Sequence, residues 1–363
     1  MNSSIALSRG PATAAPISAA THRVADDKAM LRTAAEATRD LIAPSQAIYW
    51  SDLLASVTIG YGALAVAVMT GSTGVMIAAG IVSVLALYRA LSFIHELTHI
   101  KHAALPGFRT GWNALVGVPM MVPSFMYEGV HNLHHAKTRY GTSEDPEYLP
   151  LALMKPYTLP LFILVSALAP VGVIIRYGVL APLSALIPGF RKIVVERYSA
   201  LSINPSFRRR QPEGAFRAQW LKVETATSIW AVALLVMVAT GVIPLHGFAI
   251  AMAIGSAVAV LNQVRTLVAH LWENEGEVMS VTAQYLDSVN VPPPSLLPAL
   301  WAPVGLRYHA LHHLLPGVPY HALGEAHRRL SAKLDGMSPY HKASYPGLPG
   351  LVHKIARSTM GAR

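Results

Sequence analysis

Residues 95–102 read His95-Glu96-Leu97-Thr98-His99-Ile100-Lys101-His102 and follow directly on an apolar run, 74–94. At helical rise, about 20 residues span roughly 30 Å, the thickness of a bilayer's hydrocarbon core. The histidines therefore emerge just beyond the hydrocarbon, on a continuation of a membrane helix. Two later clusters echo the first: His131-Asn132-Leu133-His134-His135 and His309-Ala310-Leu311-His312-His313. On a helix, offsets of 3, 4 and 7 return to one face, so each cluster presents its imidazoles together. The three windows hold nine of the chain's 16 histidines, where an even scatter puts fewer than one. Histidine-dense short tracts are a metal-binding signature.

Composition sets the class. Of 363 residues, 53% are hydrophobic and 13% charged, where about 25% charged is usual for a soluble protein. The chain reads as an all-α integral membrane protein. It has no cysteine, which excludes disulfides, Cys-ligated zinc, iron–sulfur clusters and thiolate haem. Any metal must be held by nitrogen or oxygen. The formal charge of +10 comes with no nucleic-acid reading motif. Lys and Arg collecting on the cytoplasmic side of a membrane account for it.

The fold expected is about four transmembrane helices in two hairpins, with interfacial or re-entrant helices and a cytoplasmic cap that carries the histidines. Crossings at about 52–70 and 74–94 are joined by Gly71-Ser72-Thr73; crossings at 225–243 and 248–268 turn through Pro244-Leu245-His246-Gly247. Neither turn carries Lys or Arg, whereas every long segment does, so the turns lie outside and the rest, termini included, inside. Residues 108–127 are cut by Pro119 and Pro123 and read as a re-entrant or interfacial stretch. Residues 158–187 are long and apolar but interrupted by Pro160, Pro170, Arg176 and Pro182. If all clusters share one site, this segment makes no net crossing and forms a shallow or re-entrant helix pair.

Residues 1–45 read as an N-terminal tail, disordered to residue 24, then an amphipathic helix (25–43) lying along the interface. Residues 46–330 form the membrane domain and 331–363 a basic, polar cytoplasmic tail. Arg89 and Arg265 each sit near a cytoplasmic helix end, six and five residues ahead of a histidine. Each either snorkels to the headgroups or contacts the polar end of a substrate.

One competing motif lies inside the first cluster. His95-Glu96-Leu97-Thr98-His99 satisfies H-E-x-x-H, the zinc-protease helix with Glu as general base, and Leu334-Asp335-Gly336 can be cast as a distant third ligand. But that Asp sits in a polar tail, and a zinc site of three or four ligands leaves the other clusters unexplained. A non-enzymatic metal transporter is a further alternative, though its ligands belong at mid-membrane. Nine or ten imidazoles are too many for one metal and suit two. Imidazole accommodates Fe, Zn, Cu or Ni. His102 lies on the right face of the first helix and joins the candidates. Metal-bound histidines usually give their second N–H to a carboxylate or carbonyl; Glu96, Asp145 and Glu273 are near enough in sequence.

The three boxes, H-x3-H, H-x2-H-H and H-x2-H-H in this order and with these intervening hairpins, resemble the membrane fatty acid desaturase/hydroxylase superfamily over roughly residues 46–330. The likeness is greatest to bacterial stand-alone acyl desaturases. It implies a di-iron centre at the cytosolic surface of the bacterial inner membrane, with O2 as co-substrate. The implied ligands are His95, His99, His131, His134, His135, His309, His312 and His313, with His270 between the second and third boxes. Thr266 stands where acyl-CoA desaturases carry an Asn. No His-Pro-Gly-Gly haem motif of a fused cytochrome b5 is present, so electrons come from a separate donor, a ferredoxin or similar with its reductase. The expected substrate is a membrane lipid or acyl chain and the expected product two hydrogens lighter. Lipid or alkane hydroxylation and carotenoid-type ketolation are the same-fold alternatives.

Overall fold

The structure, a computed structural model, describes residues 24–361. Among the described residues there is no β-strand, and five helices are long and apolar enough to cross a membrane. The expected tail helix is α1 (Lys28–Ala37). The first hairpin is α2 (Gln46–Met69) and α3 (Thr73–His99). The long proline-interrupted stretch is α4 (Thr158–Leu186), followed by α5 (Pro188–Tyr198). The second hairpin is α6 (Gly214–Ala239) and α7 (Leu245–Leu267). Helices α8 (His309–Leu314), α9 (Leu323–Lys333) and α10 (Leu348–Gly361) complete the cap.

Local chemistry sets the hairpin ends. Ser45 and Ser72 cap α2 and α3 by accepting the amides of Ile48 and Val75, satisfying donors that a helix start leaves free. Gly60 lets the two helices touch: a Cβ there would lie 2.6 Å from Leu87 Cδ2, and Ser83 Oγ donates to the Gly60 carbonyl at 2.9 Å. Outward positions such as Ile59, Ile77, Ile81, Leu164, Leu168, Ile229 and Val236 are exposed. A belt of that kind belongs against lipid tails.

Helix direction fixes parity. The α7 start lies beside the first hairpin's turn, where Gly247 approaches Val68, and just past its other end His270 meets the histidines of α8. Both α3 and α7 therefore run toward the histidine end. The chain leaves α3 and re-enters α6 at that same end. Residues 108–126 dip and return: Trp112 Nε1 donates to Ala90 O, Trp230 Nε1 to Pro119 O, and Asn113 Nδ2 closes the loop onto Ser124 Oγ at 2.9 Å. The α4 stretch is one bent helical run rather than the expected pair. Its prolines sit in the first turns of successive segments, where a missing N–H costs little, and tighter or wider turns at 165–168 and 176–180 take up the bends. It starts beside Trp272, reaches the middle of α7, where Ser256 Oγ donates to Ala167 O at 2.7 Å, and ends with Arg176 paired to Glu224 at 2.5 Å.

Both supposed tails belong to the cap. Met30, Ala34 and Ala37 of α1 are buried against Tyr285, Leu311, Leu323, Ala326 and Leu330, so its apolar face meets protein rather than the membrane interface. The expected disordered stretch lies outside the described residues apart from Val24, whose carbonyl accepts Ser280 Oγ. Beyond residue 330, Tyr340 and Ala343 are fully buried, and Asn290 exchanges backbone hydrogen bonds with Ala343 and Tyr345. The segment's polar composition hid these anchors.

Introduced cysteines test the path of α4. Ser206→Cys, Lys155→Cys and Gly189→Cys should react with an impermeant thiol reagent from one face of the membrane, and Ser72→Cys from the other. Opposite sidedness of positions 155 and 189 would make α4 a true crossing.

Candidate metal centre

Nine imidazoles from separate stretches of chain converge beyond the ends of α3 and α7. They form two adjoining groups: His95, His99, His131, His135 and His312, and His134, His270, His309 and His313. Within each, one potential ligand atom per residue lies within 4.8 Å of every other. Helical spacing achieves this as the sequence suggests. His95 and His99 sit one turn apart on α3, and two one-turn helices present the second and third boxes.

The rings are turned so that Nε2 atoms face one another. His131 and His135 approach at 3.0 Å, His270 and His309 at 3.0 Å, His99 and His312 at 3.1 Å, and His309 and His313 at 3.2 Å. Two nitrogens about 2.1 Å from one ion and at right angles are about 3.0 Å apart. The described spacing fits shared metal coordination. Nε2 of His95 is buried without any hydrogen-bond partner, a costly state for a lone pair that a metal relieves.

Three of the opposite ring edges are held by oxygen, whereas Nδ1 of His95, His309, His312 and His313 has no hydrogen-bond partner. His134 Nδ1 meets both oxygens of Asp145, at 3.0 and 2.9 Å. His131 Nδ1 lies 2.8 Å from Glu147 and 2.9 Å from the Tyr127 hydroxyl. His270 Nδ1 lies 2.9 Å from the Tyr140 hydroxyl, which donates to Asp287 at 2.7 Å. Such contacts fix tautomer and orientation and raise the basicity of the inward nitrogen. Burial first, and neighbouring positive groups second, hold His131, His135, His270, His309, His312 and His313 well below the ordinary histidine pKa. Neutral rings keep lone pairs to offer a metal. Burial also works against a charge on His134, but the carboxylates of Asp145, Glu147 and Asp287, Asp145 foremost, together outweigh it and raise that ring. Burial pushes Glu147 up to about 7 and Asp287 up to about 6.

The tenth candidate does not join. Helix α3 ends at His99, Ile100 turns extended with ψ 129°, and His102 begins a separate exposed turn. The i+7 extrapolation failed because the helix stopped first. Glu273 is not the carboxylate that orients His270; Asp287, acting through Tyr140, takes that place. Glu147 and Asp287 went unread because 16 and 17 residues of folded chain separate them from their histidines. Glu96 is buried, 3.8 Å from His95 Nδ1, and accepts the Tyr49 hydroxyl and the Tyr320 amide. So engaged, it is not poised as a protease's general base, and Asp335 merely accepts the Met337 amide. The H-E-x-x-H reading fails on this geometry.

A family model described as fatty acid desaturase matches residues 72–345. A ceramide hydroxylase of Caulobacter vibrioides (strain NA1000 / CB15N) is 51% identical over 326 residues, covering 90% of this chain and 93% of that protein. No solved structure matches.

The orienting contacts are testable by metal content. Asp145→Asn and Glu147→Gln should each weaken metal retention ~10–100-fold, the usual effect of removing a group that orients a ligand. His95→Ala should lose metal outright, while His102→Ala and Glu273→Gln should match the parent protein in elemental analysis.

Proposed function

The chain belongs to the fatty acid desaturase family, and on that footing we propose that it is a membrane lipid hydroxylase acting on N-acyl sphingoid lipids with O2 and two irons. The double group of nine histidines carries the oxidoreductase reading. The extent of identity to a ceramide hydroxylase favours oxygen insertion over the hydrogen loss expected from the box pattern alone. Identity across nearly the whole chain is a finer constraint than box spacing, which both reactions share.

Two irons, held by His95, His99, His131, His135 and His312 and by His134, His270, His309 and His313, would supply O2 activation and attack on an unactivated methylene. The protein supplies position, electrostatics and dryness. Asp145, Glu147 and the Tyr140–Asp287 pair hold the rings so that no reorganisation accompanies turnover. All four histidines of the second group are buried, whereas His99 and His135 of the first are half-exposed. A cleft of about 360 Å³, lined in part by Thr98, His99, Lys101, His102 and Asn132, opens at His99. This half-exposed edge favours electron entry from a separate soluble donor, and a net positive charge favours an acidic one. The Lys- and Arg-free hairpin turns favour an orientation with the histidines on the cytoplasmic side.

Desaturation is the second reading, favoured by the family model and the box spacing. Incubation of the iron-loaded enzyme with a saturated N-acyl sphinganine, reductant and 18O2 separates the two. The expected product is one oxygen heavier and carries the label, from an enzyme holding about two irons per chain. Label confined to water, with a product two hydrogens lighter, would move the assignment to desaturase.

A further inference from the structure

Arg265 is an arginine without a carboxylate. It occupies the last turn of α7, five residues ahead of His270, and is 8% exposed. Several buried or half-buried arginines in or beside the long helices are matched: Arg89 to Asp52 at 2.5 Å, Arg109 to Glu128, and Arg176 and Arg191 to Glu224. Buried Arg209 donates to the Ser199 and Glu128 carbonyls and lies over Trp220. Among the described residues no carboxylate lies within ion-pair distance of Arg265, and its Nε has no hydrogen-bond partner. The polar neighbour it does have is the Tyr88 hydroxyl, which itself donates to Trp301 O at 3.1 Å.

Its position is as telling as its lack of a partner. Tyr88 lies two helical turns before His95 on α3, so Arg265 stands on the membrane side of the histidines. Its charge reaches His95 of one group, His270 and His309 of the other, and, beyond ion-pair distance, the Glu147 carboxylate that faces His131. Snorkelling does not describe a side chain that is more than nine-tenths buried there. A guanidinium has five donors, and burying one without an acceptor is costly. Bound metal cations next door increase that cost. A site that keeps such a group is built to receive an acceptor from elsewhere.

We propose that Arg265 binds the carbonyl oxygen of the acyl group in the incoming lipid and so sets which carbon is oxidised. The inference rests on the lipid-oxidation reading above. An amide and a free carboxylate offer the same acceptor chemistry. Because the guanidinium sits beside both histidine groups, the carbon presented there is within a few bonds of the carbonyl, not far along the chain.

The test uses the iron-loaded full chain in nanodiscs and follows binding by tryptophan quenching. Probes are a saturated N-acyl sphinganine, the chain-matched fatty acid and the chain-matched alkane. The wild type should prefer at least one carbonyl lipid over the alkane by about tenfold or more, and the stronger of the two names the source. Arg265→Gln should lose that preference with alkane binding unchanged, and Arg265→Lys should keep most of it. In the product, the new hydroxyl should sit at one position near the carbonyl in the wild type and spread along the chain in Arg265→Gln. Undiminished preference and an unmoved hydroxyl in Arg265→Gln would overturn the proposal, as would a wild type that oxidises lipid yet binds alkane equally well. If Arg265→Gln does not retain iron, the wild-type panel and Arg265→Lys decide. Failure of the wild type to oxidise any lipid would instead remove the lipid-oxidation reading, and this inference with it.

Discussion

Nine imidazoles turned toward a common centre must be held in place, and three of them, His131, His134 and His270, are held by oxygen at their outer nitrogens. Bare, the inward nitrogens are a cost; the outward contacts and a metal together remove it. Much of the architecture serves this requirement. Asp145 touches His134 and also accepts the amides of Gly141 and Glu147, so one carboxylate orients a ring and shapes the turn that brings Glu147 to His131. Asn204 then donates to the carbonyls of Ser143 and Asp145, tying the segment after α5 to the same turn.

The same logic couples the membrane helices to the cap. Glu96 on α3 receives Tyr49 from α2 and the Tyr320 amide from just beyond the third box. Tyr320 also donates to Asp52, which accepts from Arg89 and Ser56 as well. Three distant stretches are thereby locked in register beside His95. Each charge in this network is paired or hydrogen-bonded, as burial demands. The network is also where the cap gains its orientation on the hairpin, since apolar contact alone is non-directional.

What the sequence disclosed follows from which interactions are local. Offsets of three and four residues are fixed by helix geometry, so the eight converging box histidines were legible from spacing, while His270 came from the family resemblance, and long apolar runs located both hairpins. The prolines of 108–127 and 158–187 marked departures from simple crossings, and parity called for no net crossing by α4 if all the clusters share one site. The misreadings fall where a local rule met a tertiary decision. His102 obeyed the helical offset but lay past the helix end. The apolar face of α1 was legible, yet periodicity does not say whether such a face meets lipid or protein. The segment after residue 330 was polar on average, while Tyr340 and Ala343 decided its place. Glu147 and Asp287 are joined to their rings by turns whose shape depends on the centre they support.

Reaction type is illegible in the boxes for a related reason. Histidine spacing specifies what holds the metals, and hydrogen loss and oxygen return begin from the same hydrogen removal. They diverge in how the carbon chain is held during the next step, and that is governed by groups on the substrate side of the centre. There, among residues that act mainly by shape, Arg265 acts by charge. A chain gripped at its carbonyl beside the metals presents carbons close to its polar end. One held by apolar walls alone has no such fixed register, because dispersion contacts vary little as a methylene chain slides by one carbon. A buried guanidinium on that side would give a uniform chain a defined address. Its place ahead of His270, outside all three boxes, explains why box patterns leave the oxidised position unread.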